Sequence, residues 1–231
     1  MKRTVITARA IVLAGAMLPI SVAKFKSYDR TVDVKGLCER EVKADKVIWP
    51  LTYKVIGDDL ASVLNEIDRK NGAIVAFLKK GGIPGEEITV ASPVISDKYE
   101  SEYGKNDRQY RYVVKNVITV YSNRIDEVLA LMDSQTELMK CGIALSSGAE
   151  WEDNHTEFKF EALNDIKPEM IEEATANARE AAEKFAKDSG SRIGKIKTAS
   201  QGTFSITDRD SNTPHIKRVR VVTYVTYYIK H

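Results

Sequence analysis

Strand-like segments occur in pairs along this chain, and this arrangement restricts the fold more than any other feature of the sequence. Eight segments alternate apolar and polar residues or are rich in β-branched and aromatic residues, as strands are. They are residues 31–42, 45–57, 87–97, 110–121, 143–152, 156–163, 193–206 and 216–230. A helix-like segment follows each of the first three pairs, giving the order ββα-ββα-ββα-ββ. This order predicts an α+β fold, with antiparallel strand pairs and three helices packed on a sheet face.

The predicted helices are recognised by apolar residues that recur every three or four positions. They cover residues 59–80, 123–142 and 168–189. Each ends at a glycine, a residue that favours helix termination, at Gly81, Gly142 and Gly190. Asp58 or Asp59 can cap the first helix, and Pro168 is expected at the first position of the third, where a missing N–H costs nothing.

The first strand, residues 31–42, is expected to pair with residues 45–57. Gly36 indicates a bulge in the first of these strands. Pro50 lacks an N–H, so it predicts that the second is an edge strand or a bulged one.

The segment of about residues 87–121 is predicted to form a projecting hairpin whose polar tip lies between residues 97 and 109. No linker rich in Pro, Gly or Ser divides the chain. Residues 24–231 are therefore expected to form one domain that carries this hairpin.

The first 23 residues have the organisation of a bacterial secretory signal. Three basic residues, Lys2, Arg3 and Arg9, precede an apolar run at residues 10–23. This run ends on small residues that suit cleavage. The run is shorter than the roughly 20 apolar residues of a membrane-spanning helix. We therefore predict a cleaved signal and a location in the periplasm or cell envelope. An uncleaved membrane anchor and a buried helix are the alternatives.

The charge balance argues against a nucleic-acid-binding protein. The chain has 35 Lys and Arg against 33 Asp and Glu, a formal net charge of +2. Because residues 1–23 contain three basic residues and no acidic ones, residues 24–231 carry a net charge of −1. The last strand does combine basic residues with tyrosines, but a half-buried strand explains this mixture without a nucleic-acid partner. These residues are Lys217, Arg218, Arg220, Tyr224, Tyr227 and Tyr228.

The sequence contains no recognisable catalytic or metal-binding motif. Its three histidines, His155, His215 and His231, are not at metal-ligand spacing, and no phosphate loop, nucleophile elbow or CxxC pair occurs. The pairs Glu86-Glu87 and Glu172-Glu173 could serve acid–base chemistry. The first follows a Gly-Pro turn and the second lies near a helix start, where acidic residues are stabilising. We therefore predict no catalytic residue, no cofactor and no metal.

The two cysteines, Cys38 and Cys141, allow two interpretations. In an oxidising compartment they could form a disulfide that closes a loop of about 100 residues and stabilises the fold by about 4–5 kcal/mol. Alternatively, they are separate buried thiols that act as small apolar side chains. The second is favoured, because the sequence does not place them within bonding distance.

Tyrosines are concentrated in the predicted hairpin. They are Tyr99, Tyr103, Tyr110 and Tyr112. Tyrosine supplies a large contact area, so an exposed hairpin of this composition suits contact between subunits. The same residues could instead pair across the two strands of the hairpin.

Several segments in a fixed order resemble the SIMPL-domain family of bacterial envelope proteins, a domain of unknown function. Residues 32–36 followed by Ala44-Asp45 are similar to the family's opening V-x-V-x-G … A-D pattern. Further similarities follow in the helix-to-strand turn, the strand containing Tyr112 and Asn116, the alanine-rich helix and the G-K-V turn. These similarities lie at residues 78–88, 112–120, 174–186 and 194–196. The chain departs from the family pattern at Cys38 and at Glu180-Ala181.

The resemblance implies a periplasmic or membrane-anchored protein that forms ring-like homo-oligomers and has a role in stress tolerance. It implies no catalytic residue. Together with the residues, it favours a non-enzymatic envelope protein that associates with itself and contacts a membrane only through an uncleaved N-terminal segment. The alternatives are a binding module for an envelope protein or a small molecule, and an enzyme without a recognisable motif.

Overall fold

The computed structural model describes residues 30–99, 110–146 and 155–230. Residues 1–23, Tyr103 and His231 lie outside the described residues, as do the tip of the predicted hairpin and part of the predicted strand 143–152. The contacts group the chain into two units. Among the described residues, the first unit takes those before Val42, Leu163–Thr207 and those from Arg218 onward. The second takes Val42–Ala162 and Asp208–Lys217.

The strands, in chain order, are β1 (Thr31–Lys43), β2 (Lys46–Gly57), β3 (Ile88–Val90), β4 (Val94–Asp97), β5 (Tyr112–Ser122), β6 (Leu145–Ser146), β7 (Glu157–Lys159), β8 (Arg192–Gln201), β9 (Ser205–Asp208) and β10 (Ile216–Lys230). The α-helices are α1 (Leu60–Lys80), α2 (Ile125–Ser134), α3 (Thr136–Lys140) and α4 (Leu163–Asp188). A short 3₁₀ turn at Gly85–Glu87 precedes β3.

The second unit is built on a six-stranded antiparallel sheet with the order β3-β5-β2-β6, in which β4 also pairs with β5 and β7 with β2. β2 and β5 keep one continuous register, from Val47 opposite Ser122 to Gly57 opposite Tyr112. Alternate side chains of these two strands are buried against α1 and α2, since the strand period of two sends every second residue to the same face. This layer is the larger of the two cores.

The first unit is built on a four-stranded sheet with the order β1-β10-β8, in which β9 also pairs with β10. α4 packs on this sheet through a buried stripe of residues spaced four apart, in which Met170 is followed by the small residues Ala174, Ala178, Ala182 and Ala186. Small side chains allow the helix axis to approach the strands closely. The core of this unit is correspondingly thin, with Val34, Val225 and Tyr227 contributed by the sheet.

The structure confirms the predicted α+β class with antiparallel sheets and helices on sheet faces, but it corrects the pairing of the first two strands. β1 has β10 as its neighbour, whereas β2 lies between β5 and the short strands β6 and β7. β2 is therefore central rather than an edge strand. Pro50 is accommodated because β7 pairs with residues 46–48 and β6 with residues 52–53, so the proline falls between them.

Other element boundaries differ from the predictions for local reasons. The second predicted helix is divided into α2 and α3 at Gln135. α4 begins at Leu163, so Pro168 lies inside the helix and not at its first position. The predicted strand 156–163 is reduced to β7, because the Asp45 carboxylate accepts hydrogen bonds from the backbone N–H groups of Glu161 and Ala162, at 2.7 to 2.9 Å, and turns the chain toward α4.

The units interleave along the sequence. β1 and β10 each contribute residues to both units. A boundary inside a strand leaves no linker to recognise.

Candidate interaction surface

The predicted hairpin is present between β4 and β5. Val94 lies opposite Lys115 and Asp97 opposite Tyr112 in an antiparallel register. The pairing continues beyond β4, where the N–H of Lys98 donates to the carbonyl oxygen of Arg111 at 2.8 Å. We call residues 90–99 and 110–112 the arm; its connecting residues 100–109 lie outside the described part.

Arg111 organises the described tyrosines of the arm. Its guanidinium carbon lies 4.8 Å from the ring centroid of Tyr112 and 5.5 Å from that of Tyr99, within the range of cation–π contact. Its Nη2 and Nε donate to the Asp97 carboxylate at 3.0 and 3.1 Å, which holds the pKa of Asp97 below its usual range. The backbone N–H of Arg111 donates to Asp58 at 2.9 Å. Tyr99 and Tyr112 are thus fixed within the arm, by a cation between them rather than by ring-to-ring contact.

The arm nevertheless exposes a series of large apolar side chains. Val94 is 67% exposed and Tyr99 is 65% exposed, while Val90 and Ile95 are each 45% exposed. Tyr110 is also exposed. The concentration of tyrosines in the sequence indicates this surface, whereas no pattern in the sequence indicates its three aliphatic residues. Alternation of apolar and polar residues predicts strands, but it does not show whether another layer covers the apolar face of a strand.

The basic and aromatic residues of the last strand are occupied by contacts inside the protein. Lys217 pairs with Asp208, and Arg218 Nε lies 3.2 Å from Glu39. Tyr227 is buried. Lys35 Nζ lies over the exposed ring of Tyr224, 5.3 Å from its centroid. These contacts fit the prediction of a half-buried strand.

Both cysteines are free thiols in the structure, Cys38 buried in the first unit and Cys141 exposed in the second. Burial is the main cause that raises the pKa of the Cys38 thiol, and a hydrogen bond with Glu173 acts in the same direction. A raised thiol pKa disfavours the nucleophilic thiolate, so Cys38 is a packing residue.

The other titratable candidates are held in structural contacts or lie at the surface. Glu173 accepts from Arg40 at 3.1 Å, and Glu87 lies 3.9 Å from Arg124. His215 stacks edge-on against Phe158 with 5.9 Å between ring centroids, and His155 is exposed. Within residues 30–99, 110–146 and 155–230, no group of three or more His, Cys, Asp or Glu side chains could hold a metal ion.

Each unit has a groove of about 490 Å³ on its surface. The groove of the first unit lies between α4 and β8 and is lined by Thr175, Ala176, Arg179, Ile193, Gly194, Lys195, Ile196 and Tyr227. The groove of the second unit lies beside the gap between β6 and β7 and includes Trp49, Met132, Met139 and His155. In the part of the chain that the structure describes, no helix is both long and apolar enough to cross a membrane.

Comparison with known proteins adds a family and no activity. A family model described as SIMPL, protein of unknown function (DUF541), matches residues 32–223. This range includes both described units and the arm. No curated protein matches the chain.

Proposed function

Because the chain belongs to the SIMPL family, whose description names no activity, we propose a function from its own surface: a non-enzymatic protein of the cell envelope that works as a homo-oligomer joined through the arm. The observation that carries the proposal is the exposed apolar series of Val90, Val94, Ile95, Tyr99 and Tyr110. Monomeric soluble proteins rarely leave large apolar side chains grouped in this way.

The contacts of Arg111 make the arm suitable for association. An interface residue that is already ordered loses little side-chain entropy on binding. Tyr99 is held by the Arg111 cation and by its backbone N–H, which donates to Asp97 at 2.9 Å. The tyrosine therefore presents most of its ring to solvent in a fixed orientation, as anchoring residues of interfaces do.

The envelope location rests on the sequence of residues 1–23, with its basic start, apolar run and small residues before Lys24. Export places the protein at a membrane surface or in the periplasm, where an assembled state can be maintained at high local concentration.

Native mass spectrometry and N-terminal sequencing of the chain exported by an expressing bacterium test the proposal. We expect a native mass of two or more chains and a mature protein that starts at Lys24. The double variant Val94→Glu/Tyr99→Glu is expected to weaken association about 100-fold, since each position loses apolar burial of one to a few kcal/mol and gains a charge.

The control is Phe185→Glu, which places one of these two added charges at an aromatic position on α4 that is as exposed as Tyr99. It is expected to leave the mass unchanged. A wild-type protein that stays a monomer at micromolar concentration would refute the proposal, as would an oligomer that dissociates equally in both variants.

A further inference from the structure

In the part of the chain that the structure describes, no strand pairs with the edge of β8 that faces away from β10. Among the described residues, β8 has β10 as its neighbouring strand, paired from Thr223 opposite Gln201 to Lys230 opposite Arg192. The register shifts on either side of Tyr227, so Ile193 and Ile196 lie opposite Ile229 and Tyr227, two residues of β10 on the same face. Residues 195–201 are all exposed. In an antiparallel strand, backbone N–H and C=O groups alternate between the two edges, so those on the outer edge of β8 are available to another strand.

The opposite edge of the same sheet is protected. The side-chain amide of Asn177 on α4 donates to the carbonyl oxygen of Leu37 in β1 at 2.8 Å. α4 therefore occupies one backbone acceptor of β1. The two edges of this sheet differ, and β8 is the accessible one.

An apolar groove accompanies the open edge. The groove between α4 and β8 has Ile193, Ile196 and Tyr227 in its lining, with Lys195 and Arg179 as its cations. A strand added to β8 would send every second side chain toward α4. Those side chains would enter this groove, while the side chains between them would lie on the other face.

The charge of the edge selects among possible occupants. Arg192, Lys195 and Lys197 are exposed, and no described carboxylate lies within ion-pair distance of them. Lys197 Nζ lies 5.7 Å from the ring centroid of Tyr228. Tyr228 follows the groove-lining Tyr227 in β10, so this cation lies on the sheet face opposite the groove. A second copy of β8 would bring three cations against three cations. Like charges directly opposite each other are destabilising, whereas an acidic strand would be attracted.

We propose that β8 and the groove beside it bind an extended segment of a partner protein in which apolar and acidic residues alternate. Backbone hydrogen bonds to the edge of β8 supply affinity, as in other cases of strand addition. Apolar residues of the segment fill the groove above Ile193 and Ile196. Acidic residues on the other face pair with Lys197, and Lys195 in the groove lining adds positive charge beside the segment. This surface is separate from the arm, and the proposal does not depend on the arm being an interface.

Fluorescence anisotropy with a labelled, end-capped peptide of about ten residues that alternates Val and Glu tests the proposal. We expect saturable binding that weakens as salt is raised, because exposed charges are screened. A peptide that alternates Val and Lys is expected not to bind. The Val-Glu peptide with N-methyl groups along one edge retains its side chains but cannot pair on that edge, so it is also expected not to bind.

The variant Lys195→Glu/Lys197→Glu is expected to weaken binding of the Val-Glu peptide at least tenfold, roughly the effect of 1.4 kcal/mol. Its matched control is Lys184→Glu/Lys187→Glu, two exposed lysines of α4 outside the groove, which should change affinity by less than about twofold.

Three results would overturn the proposal. The N-methylated peptide would bind as well as the unmodified one, the two lysine variants would lose affinity equally, or the β8 variant would lower the native mass of the protein. The last result would mean that a second copy of the chain occupies the edge. Because Val94→Glu/Tyr99→Glu leaves β8 intact, peptide binding by that variant is expected to equal that of the wild type, so failure at one surface does not imply failure at the other.

Discussion

At the scale of single residues, Gly36 sets the distance between α4 and the sheet of the first unit. A Cβ added to Gly36 would overlap the carbonyl oxygen of Ala174 and lie 2.6 Å from the backbone nitrogen of Ala178. Both obstacles are helix backbone, which cannot rotate aside as a side chain can. Gly36 and the alanine stripe of α4 therefore form one contact, in which the small residues on both sides allow the helix to lie close to β1.

We expect Gly36→Ala to destabilise the protein by about 1–3 kcal/mol, the usual cost of forcing extra volume into a packed region. Urea denaturation followed by circular dichroism measures this change. The control is Gly72→Ala in the middle of α1, where an added Cβ meets no atom within 4 Å. This control is expected to stabilise the protein by up to about 1 kcal/mol, because alanine is the better helix former. A Gly36 variant as stable as wild type would show that α4 lies farther from β1 than the structure places it.

The sequence identified Gly36 as special but assigned the wrong cause. A glycine inside a strand indicates either a bulge or a close approach of other backbone, and the first was predicted. β1 is continuous through Gly36, and the close approach is the reason. The choice depends on α4, which lies more than 120 residues later in the chain and is invisible to a local pattern.

At the scale of elements, a buried polar group joins α1 to the sheet of the second unit. Tyr53 of β2 donates its hydroxyl to Asn71 at 2.7 Å and is also within hydrogen-bond distance of the Ile67 carbonyl, at 3.1 Å. Asn116 of β5 donates to the same Asn71 oxygen at 2.8 Å. Burial raises the pKa of Tyr53, so the phenol remains a neutral donor. Side chains of β2 and β5 thus meet at one side-chain oxygen of α1.

We expect Tyr53→Phe to destabilise the protein by about 1–3 kcal/mol, because the Asn71 oxygen loses one of its two donors in a partly buried place. The matched control is Tyr121→Phe, at an exposed tyrosine of β5. It removes the same atom where water can replace it, so the change is expected to be below about 0.5 kcal/mol. Chemical denaturation of both variants gives the comparison, and equal losses would contradict the role of the Tyr53 hydroxyl.

The elements themselves were largely predictable, whereas their partners were not. Apolar residues spaced three and four apart identified α1 and α4 within a few residues, because the helix period is a property of neighbouring residues. The pairing of β2 with β5 joins strands separated by the whole of α1. A local pattern shows that both are strands but not which edges meet. The aliphatic part of the arm and the open edge of β8 were missed for the same reason, since exposure depends on which neighbours a strand lacks.

At the scale of the whole molecule, the ionised form of several carboxylates is more stable in the folded protein than in an unfolded chain. Hydrogen bonds lower the pKa of each below its ordinary value. Arg40 acts on Glu173, Arg111 on Asp97, Arg69 on Glu66, Ser62 on Asp59, and Thr213 with Arg209 on Asp210. Asp97 is the least exposed, with 14% of its side chain accessible, and the other four lie at or near the surface, so each contribution is small and screened by salt. Their sum determines how the protein responds to acid.

The direction of this response follows from proton binding. A carboxylate with a lowered pKa binds fewer protons in the folded state, so its contribution to stability is complete above the unfolded pKa of about 4. The contribution is lost as pH falls through the lower, folded pKa. We expect the urea midpoint to stay nearly constant from about pH 7 to pH 5 and to fall steadily below about pH 4.

Replacing both Arg40 and Arg111 by Met returns the pKa values of Glu173 and Asp97 toward the ordinary range. The double variant is therefore expected to lose less stability between about pH 5 and pH 3 than wild type, although it starts from a lower value. Replacing Lys184 and Lys187 by Met removes two cations that have no described acidic partner, and the acid response of that control should match wild type. An arginine variant whose midpoint falls as steeply as that of wild type would show that these two ion pairs do not contribute to acid sensitivity.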